Sequence, residues 1–392
     1  MQHVFIVGSK GIPSSYGGYE TFVEKLTENR ISDEIKYHVA CAVDQTPKVW
    51  DFEYNGAHCF NIMRRPIGAA KAIFYDIDAL RWCIKYINAN DIKHPIVYIL
   101  ACRIGPFVKK YIQAIHSLGG AVFVNPDGHE WKRAKWNALV RRYWKISEWG
   151  MVNNADLLVC DSKNIESYIK HEYSSLYPKT TYIAYGADTR RSTLADEASS
   201  YTNWLSEKDL APFEYYLVVG RFVPENNYET MIREFIASNS NKNFALITGV
   251  DDKFLAELEK KTGYTADPRI KFVGTVYDQE LLKKIRENAF AYFHGHEVGG
   301  TNPSLLEALS STKLNLLLDV GFNREVAGDS ALYWTKEENS LRELIEYTES
   351  LSHDAIVEFD SKSTQEIIDR YSWCFITEQY ESLFLQQFKE RE

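Results

Sequence analysis

The sequence predicts an α/β protein of two similar domains, each a parallel β-sheet with helices on both faces. Three observations lead there. Short β-branched or aromatic runs alternate with longer amphipathic stretches, the βαβα rhythm of parallel sheets. That rhythm breaks once, over residues 186–212, and then restarts. A chain of 392 residues is also the length of two ordinary domains, at roughly 100–200 residues each.

In the first half, runs at 4–7, 37–43, 96–100, 121–125, 157–160 and 181–184 predict strands, each followed by turn or helix-start residues. Amphipathic stretches at 18–29, 73–87, 105–117 and 131–153 predict the helices between them. The stretch GADTRRSTLADEASSYTNWLSEKDLAP is polar with scattered apolar residues and predicts a hinge and linker. Strands are then expected at 215–219, 244–248, 270–273, 289–293 and 315–318, with helices at 228–238, 252–261, 279–287, 304–310 and 341–349. A last amphipathic helix at 373–389 closes the chain. The expected domains are 1–188 and 189–368, with 189–212 as linker and 369–392 packing back toward the first domain. Both are Rossmann-like. Parallel sheets bind ligands at the carboxyl ends of their strands, so both domains are expected to turn those loops toward a central cleft.

Composition narrows the function. Hydrophobic residues make up 45% and charged residues 25%, a globular mix that excludes overall disorder. The net charge of −9 argues against a nucleic-acid partner. It hides an asymmetry: residues 1–187 hold 23 Lys/Arg against 18 Asp/Glu, and the remainder 22 against 36. The first half can therefore approach an anionic surface that the second avoids. Six scattered cysteines without a CxxC pair suit free thiols in a reducing cytoplasm. The opening MQHVFIVGS reads as a strand, without the basic and apolar regions of a signal peptide. No apolar run reaches about 18 residues, so no membrane-spanning helix is expected.

Four strand-end segments can carry chemistry. GSKGIPSSYGGYE places Gly17 and Gly18 at the start of a helix, whose free N–H groups suit a phosphate. It matches neither GxGxxG nor a Walker A loop, and a plain tight turn is the alternative. Gly220-Arg221-Phe222 puts a guanidinium just past a strand, able to fork onto a diphosphate or, alternatively, to form a surface ion pair. VGGTNPSLLEAL (298–309) offers a second helix start, with Glu307 able to accept from ribose hydroxyls or simply to favour the helix dipole. NPDGHEW (125–131) gathers Asp127, His129 and Glu130, candidates for proton transfer or sugar binding, against solvated turn residues. Asp161 follows another strand, where an Asp-Ser pair often caps the next helix.

These segments together resemble the GT-B glycosyltransferases of family 4. The resemblance runs through GIPSSYGGYE, YIAYGAD, VVGRF, NPSLLEAL and the closing YSW. The opening segment and NPDGHEWKRAKW are similar, more narrowly, to bacterial rhamnosyltransferases of cell-wall and capsular polysaccharide synthesis. The resemblance implies a retaining enzyme that moves L-rhamnose from dTDP-L-rhamnose to GlcNAc or glucose on undecaprenyl pyrophosphate. Gly17 and Gly18 would then lie against donor phosphates or acceptor, and Arg221 would hold the diphosphate. Backbone groups around Thr301, Asn302, Ser304 and Leu305 would do the same, Glu307 would bind the ribose, and Asp127 or His129 would face the transferred sugar.

Two positions depart from the family pattern. A Lys is usual five or six residues past the Arg, where Asn226 and Asn227 stand; Lys10 is a candidate substitute. The usual first glutamate, eight residues before Glu307, is Gly299, and the nearest acid is Glu297. Other readings therefore stay open: a GT-B transferase using UDP-glucose or UDP-GlcNAc, a nucleotide-sugar epimerase, or a catalytically inactive GT-B partner in a membrane complex. Asp76-Ile77-Asp78 copies the metal-binding Asp-x-Asp of another enzyme class. It falls inside a predicted helix and reads as a solvated face, so neither metal nor cofactor is expected.

WKRAKWNALVRRYWK (131–145) holds Lys132, Arg133, Lys135, Arg141, Arg142 and Lys145, four aromatics and no acid. That is the composition of a helix lying in a membrane interface, or else of a partly buried helix with a basic face. The expected location is cytoplasmic, peripheral on the inner face of the cell membrane.

Overall fold

A computed structural model describes residues 1–14, 17–126, 128–132, 136–298 and 302–389. It divides into two compact units: unit 1 is Met1–Gly186 with Trp373–Glu392, and unit 2 is Ala187–Ser372.

Unit 1 contains strands β1 (Gln2–Val7), β2 (Ile35–Val43), β3 (Asp51–Tyr54), β4 (Ala57–Met63), β5 (Ile96–Leu100), β6 (Ala121–Asn125), β7 (Leu157–Cys160) and β8 (Thr180–Tyr182). Its helices are α1 (Gly18–Glu28), α2 (Lys71–Ala89), α3 (Gly105–Ser117), α4 (Ala138–Asn154) and α5 (Lys163–Glu172). The strands lie in the order β3-β4-β2-β1-β5-β6-β7-β8, all parallel except the β3–β4 hairpin. β5 and β6 are buried at every residue, as strands covered on both faces must be.

In unit 2, helix α6 (Ser199–Lys208) precedes β9 (Tyr215–Val219), α7 (Tyr228–Ala237), β10 (Asn243–Ile247), α8 (Asp252–Thr262) and β11 (Ile270–Gly274). Then come α9 (Gln279–Glu287), β12 (Ala291–His294), α10 (Pro303–Leu309), β13 (Asn315–Leu318), α11 (Gly321–Ala327), β14 (Leu332–Trp334), α12 (Ser340–Glu349) and α13 (His353–Tyr371). The parallel order is β11-β10-β9-β12-β13-β14.

The closing helix α14 (Trp373–Lys389) belongs to unit 1. The Glu381 carboxylate accepts from the N–H groups of Ser32 (2.7 Å) and Ile31 (3.2 Å), and Tyr380 meets the Tyr98 hydroxyl at 3.3 Å.

Two sequence expectations are corrected, and one element goes beyond them. The 189–212 stretch is not a bare linker. It holds α6, whose Tyr201, Trp204 and Leu205 join Leu210 in a core against β9. The helix expected from 131 starts only at Ala138, because the Asn137 side chain accepts from Val140 N and caps it there; a short 3₁₀ turn, Glu130–Lys132, precedes it. The β3–β4 hairpin was not anticipated. Its turn is Asn55-Gly56, both at positive φ (48° and 68°), the signature of a tight two-residue hairpin.

A chain of polar side chains, buried at His38 and open to solvent at Asp51, crosses this edge of the unit 1 sheet. His3 Nδ1 lies 2.9 Å from His38 Nε2, His38 Nδ1 2.9 Å from His58 Nδ1, and His58 Nε2 3.1 Å from Asp51 Oδ1. Burial, then His58, His3 and Lys36, hold the His38 imidazole down to about 2. Burial and His296 hold His294, in unit 2, to about 3. Unfolding lets both return to ordinary values near 6.5, so the unfolded chain binds more protons below that pH. Stability is thus fully present above pH 6.5 and is lost on acidification. Each group contributes about 1.4 kcal/mol per pH unit, or roughly 4 kcal/mol together at pH 5. Chemical denaturation at pH 5, 6 and 7.5 should show this decline. A flat profile would mean that neither imidazole is held neutral.

Candidate functional site

Among the parallel strands of each sheet the order reverses once: between β1 and β5 in unit 1, and between β9 and β12 in unit 2. At such a point the two following loops leave in opposite directions and open a crevice at the strand ends. Gly17 and Gly18 follow β1 at the first point, and Arg221, Ser304, Leu305 and Glu307 follow β9 and β12 at the second, whereas His129, Glu130 and Asp161 follow β6 and β7.

At the β9–β12 point, Arg221 follows the end of β9 by two residues and is exposed. Among the described residues its guanidinium has no carboxylate partner, so it is not tied up in a surface ion pair. Its backbone is held instead: Asn226 Nδ2 donates to Arg221 O at 2.7 Å, while Asn226 Oδ1 lies 2.8 Å from His296 Nδ1. Asn227 Nδ2 donates to Gly295 O at 2.7 Å. The two asparagines that stand where the resemblance expects a Lys therefore stitch the β9 loop to the β12 loop. Gly295 makes this possible, since a Cβ there would lie 2.3 Å from Asn226 O.

Beside them, the Ser304 hydroxyl donates to Val219 O (3.0 Å) and meets the Tyr292 hydroxyl (3.0 Å). The Glu307 carboxylate forms a 2.7 Å ion pair with Arg286 on α9. Arg286 was not singled out from sequence. Its signal was a charge on the apolar face formed by Leu282, Ile285 and Ala289. Glu297 pairs with Lys336, which neutralises it. The N–H groups of Ser304 and Leu305, expected to meet a phosphate, are bonded to Asn302 Oδ1 (2.9 Å) and Asn302 O (3.0 Å). Thr301 lies outside the described residues.

In unit 1, Gly17 has φ +132° and packs on Glu20; a Cβ would lie 1.9 Å from Glu20 Oε2. The other Glu20 oxygen accepts from Lys10 N at 2.7 Å, so this carboxylate covers the start of α1, whereas Gly18 is open. Asp127 lies outside the described residues. His129 packs against Tyr168, the rings tilted by 42° with centroids 4.0 Å apart, and burial, then Lys132 and Lys145, lower its imidazole to about 4. It is therefore neutral at pH 7 and a weak base. Glu130 accepts from the Trp136 indole (3.1 Å). Asp161 is buried past β7, and the cap of α5 is Ser162. At the end of β6, buried Asn125 donates to the Tyr185 hydroxyl at 3.3 Å.

Asp76 corrects a further expectation. It is not on a solvated face but fully buried, paired with Arg103 at 3.0 Å. Asp78 pairs with Arg65 and Arg81.

The basic segment divides. Lys132, Arg141 and Arg142 are exposed. Lys145 turns inward: it bonds Glu172 and the Tyr168 hydroxyl, each at 2.8 Å, and lies over the Trp131 and Tyr173 rings. Arg133 and Lys135 lie outside the described residues. On α4 the exposed row is Leu139, Arg142, Ile146 and Trp149, at helical spacing, with Leu139 80% exposed. Phe107 on the adjoining α3 is also exposed. No described helix is long and apolar enough to cross a membrane.

Whole-chain comparison adds the architecture. A sucrose-phosphate synthase from Thermosynechococcus elongatus superposes with a TM-score of 0.76 at 16% identity, covering 100% of both chains. The fold is GT-B. A glycosyltransferase from Rickettsia africae gives 0.74 at 11% identity over 98% of each chain. HepE from Anabaena, in complex with UDP, gives 0.70 at 12% identity over 98% of this chain and 100% of that one. Residues 1–188 also match a family model described only as a domain of unknown function, DUF1972. No curated protein matches the sequence. In this GT-B chain the N-terminal unit is thus the one with the family match, and the second unit carries the Arg221–Glu307 site.

Proposed function

We propose that this GT-B protein is a retaining glycosyltransferase. It moves L-rhamnose from dTDP-L-rhamnose to GlcNAc or glucose carried on a lipid pyrophosphate, in cell-wall or capsular polysaccharide synthesis. The observation that carries the reading is the switch point of unit 2, where an exposed Arg221 without a carboxylate partner among the described residues follows β9, and α10, bonded to the end of β9 through Ser304, carries a Glu307 paired with Arg286. The first suits a diphosphate, the second a ribose.

The chemistry is a displacement at the sugar's anomeric carbon. Its bond to the diphosphate oxygen breaks, and the acceptor hydroxyl oxygen bonds to the same face. The acceptor's proton passes to the departing diphosphate, so no protein nucleophile is required. Arg221 stabilises the negative charge that develops on the leaving group. Asp127, Asp161 and His129 belong to the sugar and acceptor side, with His129 serving as a neutral hydrogen-bonding ring. Arg221 supplies the positive charge that a metal would otherwise provide, so EDTA is expected to leave the rate unchanged. Consumption of dTDP-L-rhamnose, UDP-glucose and UDP-GlcNAc, each with and without acceptor, tests the reading. Acceptor-dependent loss of dTDP-L-rhamnose alone is expected. Loss without acceptor would point to an epimerase or hydrolase instead. A UDP-sugar donor is the second reading, favoured by the structural likeness to HepE, which binds UDP.

The lipid acceptor fits the α4 row. Exposed Leu139, Ile146 and Trp149 flank Arg142, with Arg141 next to it on α4 and exposed Lys109 and Lys110 near Phe107 on the adjoining α3. Apolar side chains with cations around them suit an anionic bilayer surface, each cation contributing about 1 kcal/mol there. Reversing Arg141 and Arg142 to Glu should release the protein from phosphatidylglycerol liposomes. Undiminished co-sedimentation would remove this face from the account.

A further inference from the structure

The loop after β6 is seated on α5 through one side chain that the mechanism above does not use. Gly128 lies against that helix, since a Cβ there would come 2.1 Å from Ile165 Cδ1. The next residue, His129, has φ +54°, a left-handed backbone that a residue with a side chain keeps only where its surroundings hold it. Its ring packs on that of Tyr168, on α5. Two residues further on, the Trp131 indole N–H donates to the Tyr168 hydroxyl at 3.2 Å, and the Trp131 ring lies 6.3 Å from that of His129. One tyrosine thus holds both ends of the 129–131 turn, by its face and by its hydroxyl.

The hydroxyl is itself fixed from behind. It donates to Glu148 Oε1 at 2.6 Å and accepts from Lys145 Nζ at 2.8 Å, both on α4. Glu148 is buried and also accepts from the Tyr173 hydroxyl. A hydrogen bond to a carboxylate is about twice as strong as one between neutral groups. The cluster does more than join α4 to α5, because Tyr173 on Glu148 and Lys145 on Glu172 (2.8 Å) already make that join. What the Tyr168 hydroxyl adds is the bond to Trp131, and so to the loop. The imidazole seated there is neutral, kept so by burial, then Lys132 and Lys145, against the opposing Glu172. A neutral imidazole offers a donor on one nitrogen and an acceptor on the other, and a sugar hydroxyl can use either.

We propose that Tyr168 is a positioning residue for His129: its hydroxyl, set by Glu148 and Lys145, pins Trp131, and the loop so pinned holds the His129 ring in one pose for the sugar or acceptor. The proposal rests on the reading that places His129 on the sugar and acceptor side.

Two variants cut the link at its two ends. Tyr168→Phe keeps the ring under His129 and loses the hydroxyl. Trp131→Phe leaves Tyr168, Glu148 and Lys145 bonded and loses only the indole N–H. Tyr173→Phe, which removes a bond to the same carboxylate, is the control. Modification of His129 by diethyl pyrocarbonate at pH 7, located by peptide mass spectrometry, reads the seating without an activity assay. Its rate should rise about threefold or more in Tyr168→Phe and Trp131→Phe, as the loop opens locally, and stay at the wild-type value in Tyr173→Phe. An unchanged rate in either of the first two overturns the proposal, and so does an equal rise in the control. If Tyr168→Phe does not fold, Trp131→Phe decides alone. In transfer from dTDP-L-rhamnose, Trp131→Phe should raise the acceptor KM severalfold with the donor KM unchanged, whereas a mere loss of folded enzyme would move neither. An unchanged acceptor KM overturns the role in the reaction. Absence of transfer in the wild type counts against the transferase reading, and the modification rates then decide the seating by themselves.

Discussion

Arg221→Ala is expected to lower turnover by about 10²–10³-fold with the fold intact, the size of effect that follows loss of one pre-aimed donor to a developing anion. The side chain is exposed and forms no ion pair among the described residues, so its removal leaves no buried charge behind. The loop around it is held by Asn226 and Asn227 through backbone oxygens, which alanine at 221 does not disturb. The loss should therefore fall on kcat and not on the melting temperature. Arg221→Lys should recover part of the rate, because charge survives while the two-pronged contact does not. Near-normal turnover of Arg221→Ala would remove Arg221 from the reaction.

Glu307 carries the second large effect, and here stability is the readout. The Arg286 side chain is 3% exposed and that of Glu307 33%. Glu307→Ala strands a buried guanidinium, whereas Arg286→Met leaves a carboxylate that water can still reach. Breaking a buried pair costs about 3–5 kcal/mol when the orphaned charge stays buried. The glutamate variant should therefore be the less stable of the two, and the double variant should recover much of the loss. Urea denaturation of all three checks this. Equal destabilisation by the two single changes would mean that the pair is solvated in the protein. Glu307→Gln should also weaken donor binding, since Glu307 is assigned both to Arg286 and to the ribose.

Most of the sheet framework was legible in the sequence, because strands buried on both faces must be continuous apolar runs. Ile96–Leu100, Ala121–Asn125, Leu157–Cys160, Tyr215–Val219 and Asn315–Leu318 fall where those runs placed them. What escaped was structure carried by sparse signals. The β3–β4 hairpin is announced by two residues, Asn55-Gly56, in an otherwise unremarkable stretch. Helix α6 presents only Tyr201, Trp204 and Leu205 amid polar residues, so its apolar side is narrow. The site was half legible. Residues that face a strand end by position, such as Arg221 and Glu307, could be named from order alone. Arg286, the partner of Glu307, and Lys336, the partner of Glu297, come from other segments, and only the fold brings them together. Burial decided three more positions against their composition: Asp76 lies inside and not on the surface, Lys145 faces aromatic rings, and His129 is held neutral.

Glycosyl transfer to a lipid diphosphate can be read in its product. Purified protein would be given dTDP-L-rhamnose and a synthetic lipid-diphosphate-linked GlcNAc in anionic liposomes with EDTA, and the lipid product read by mass spectrometry and by NMR at the new anomeric centre. The expected product is one rhamnose larger, with the donor's anomeric configuration retained. A product carrying glucose or GlcNAc when UDP-sugars are supplied instead, and none from dTDP-L-rhamnose, would contradict the donor. An inverted linkage would contradict the mechanism.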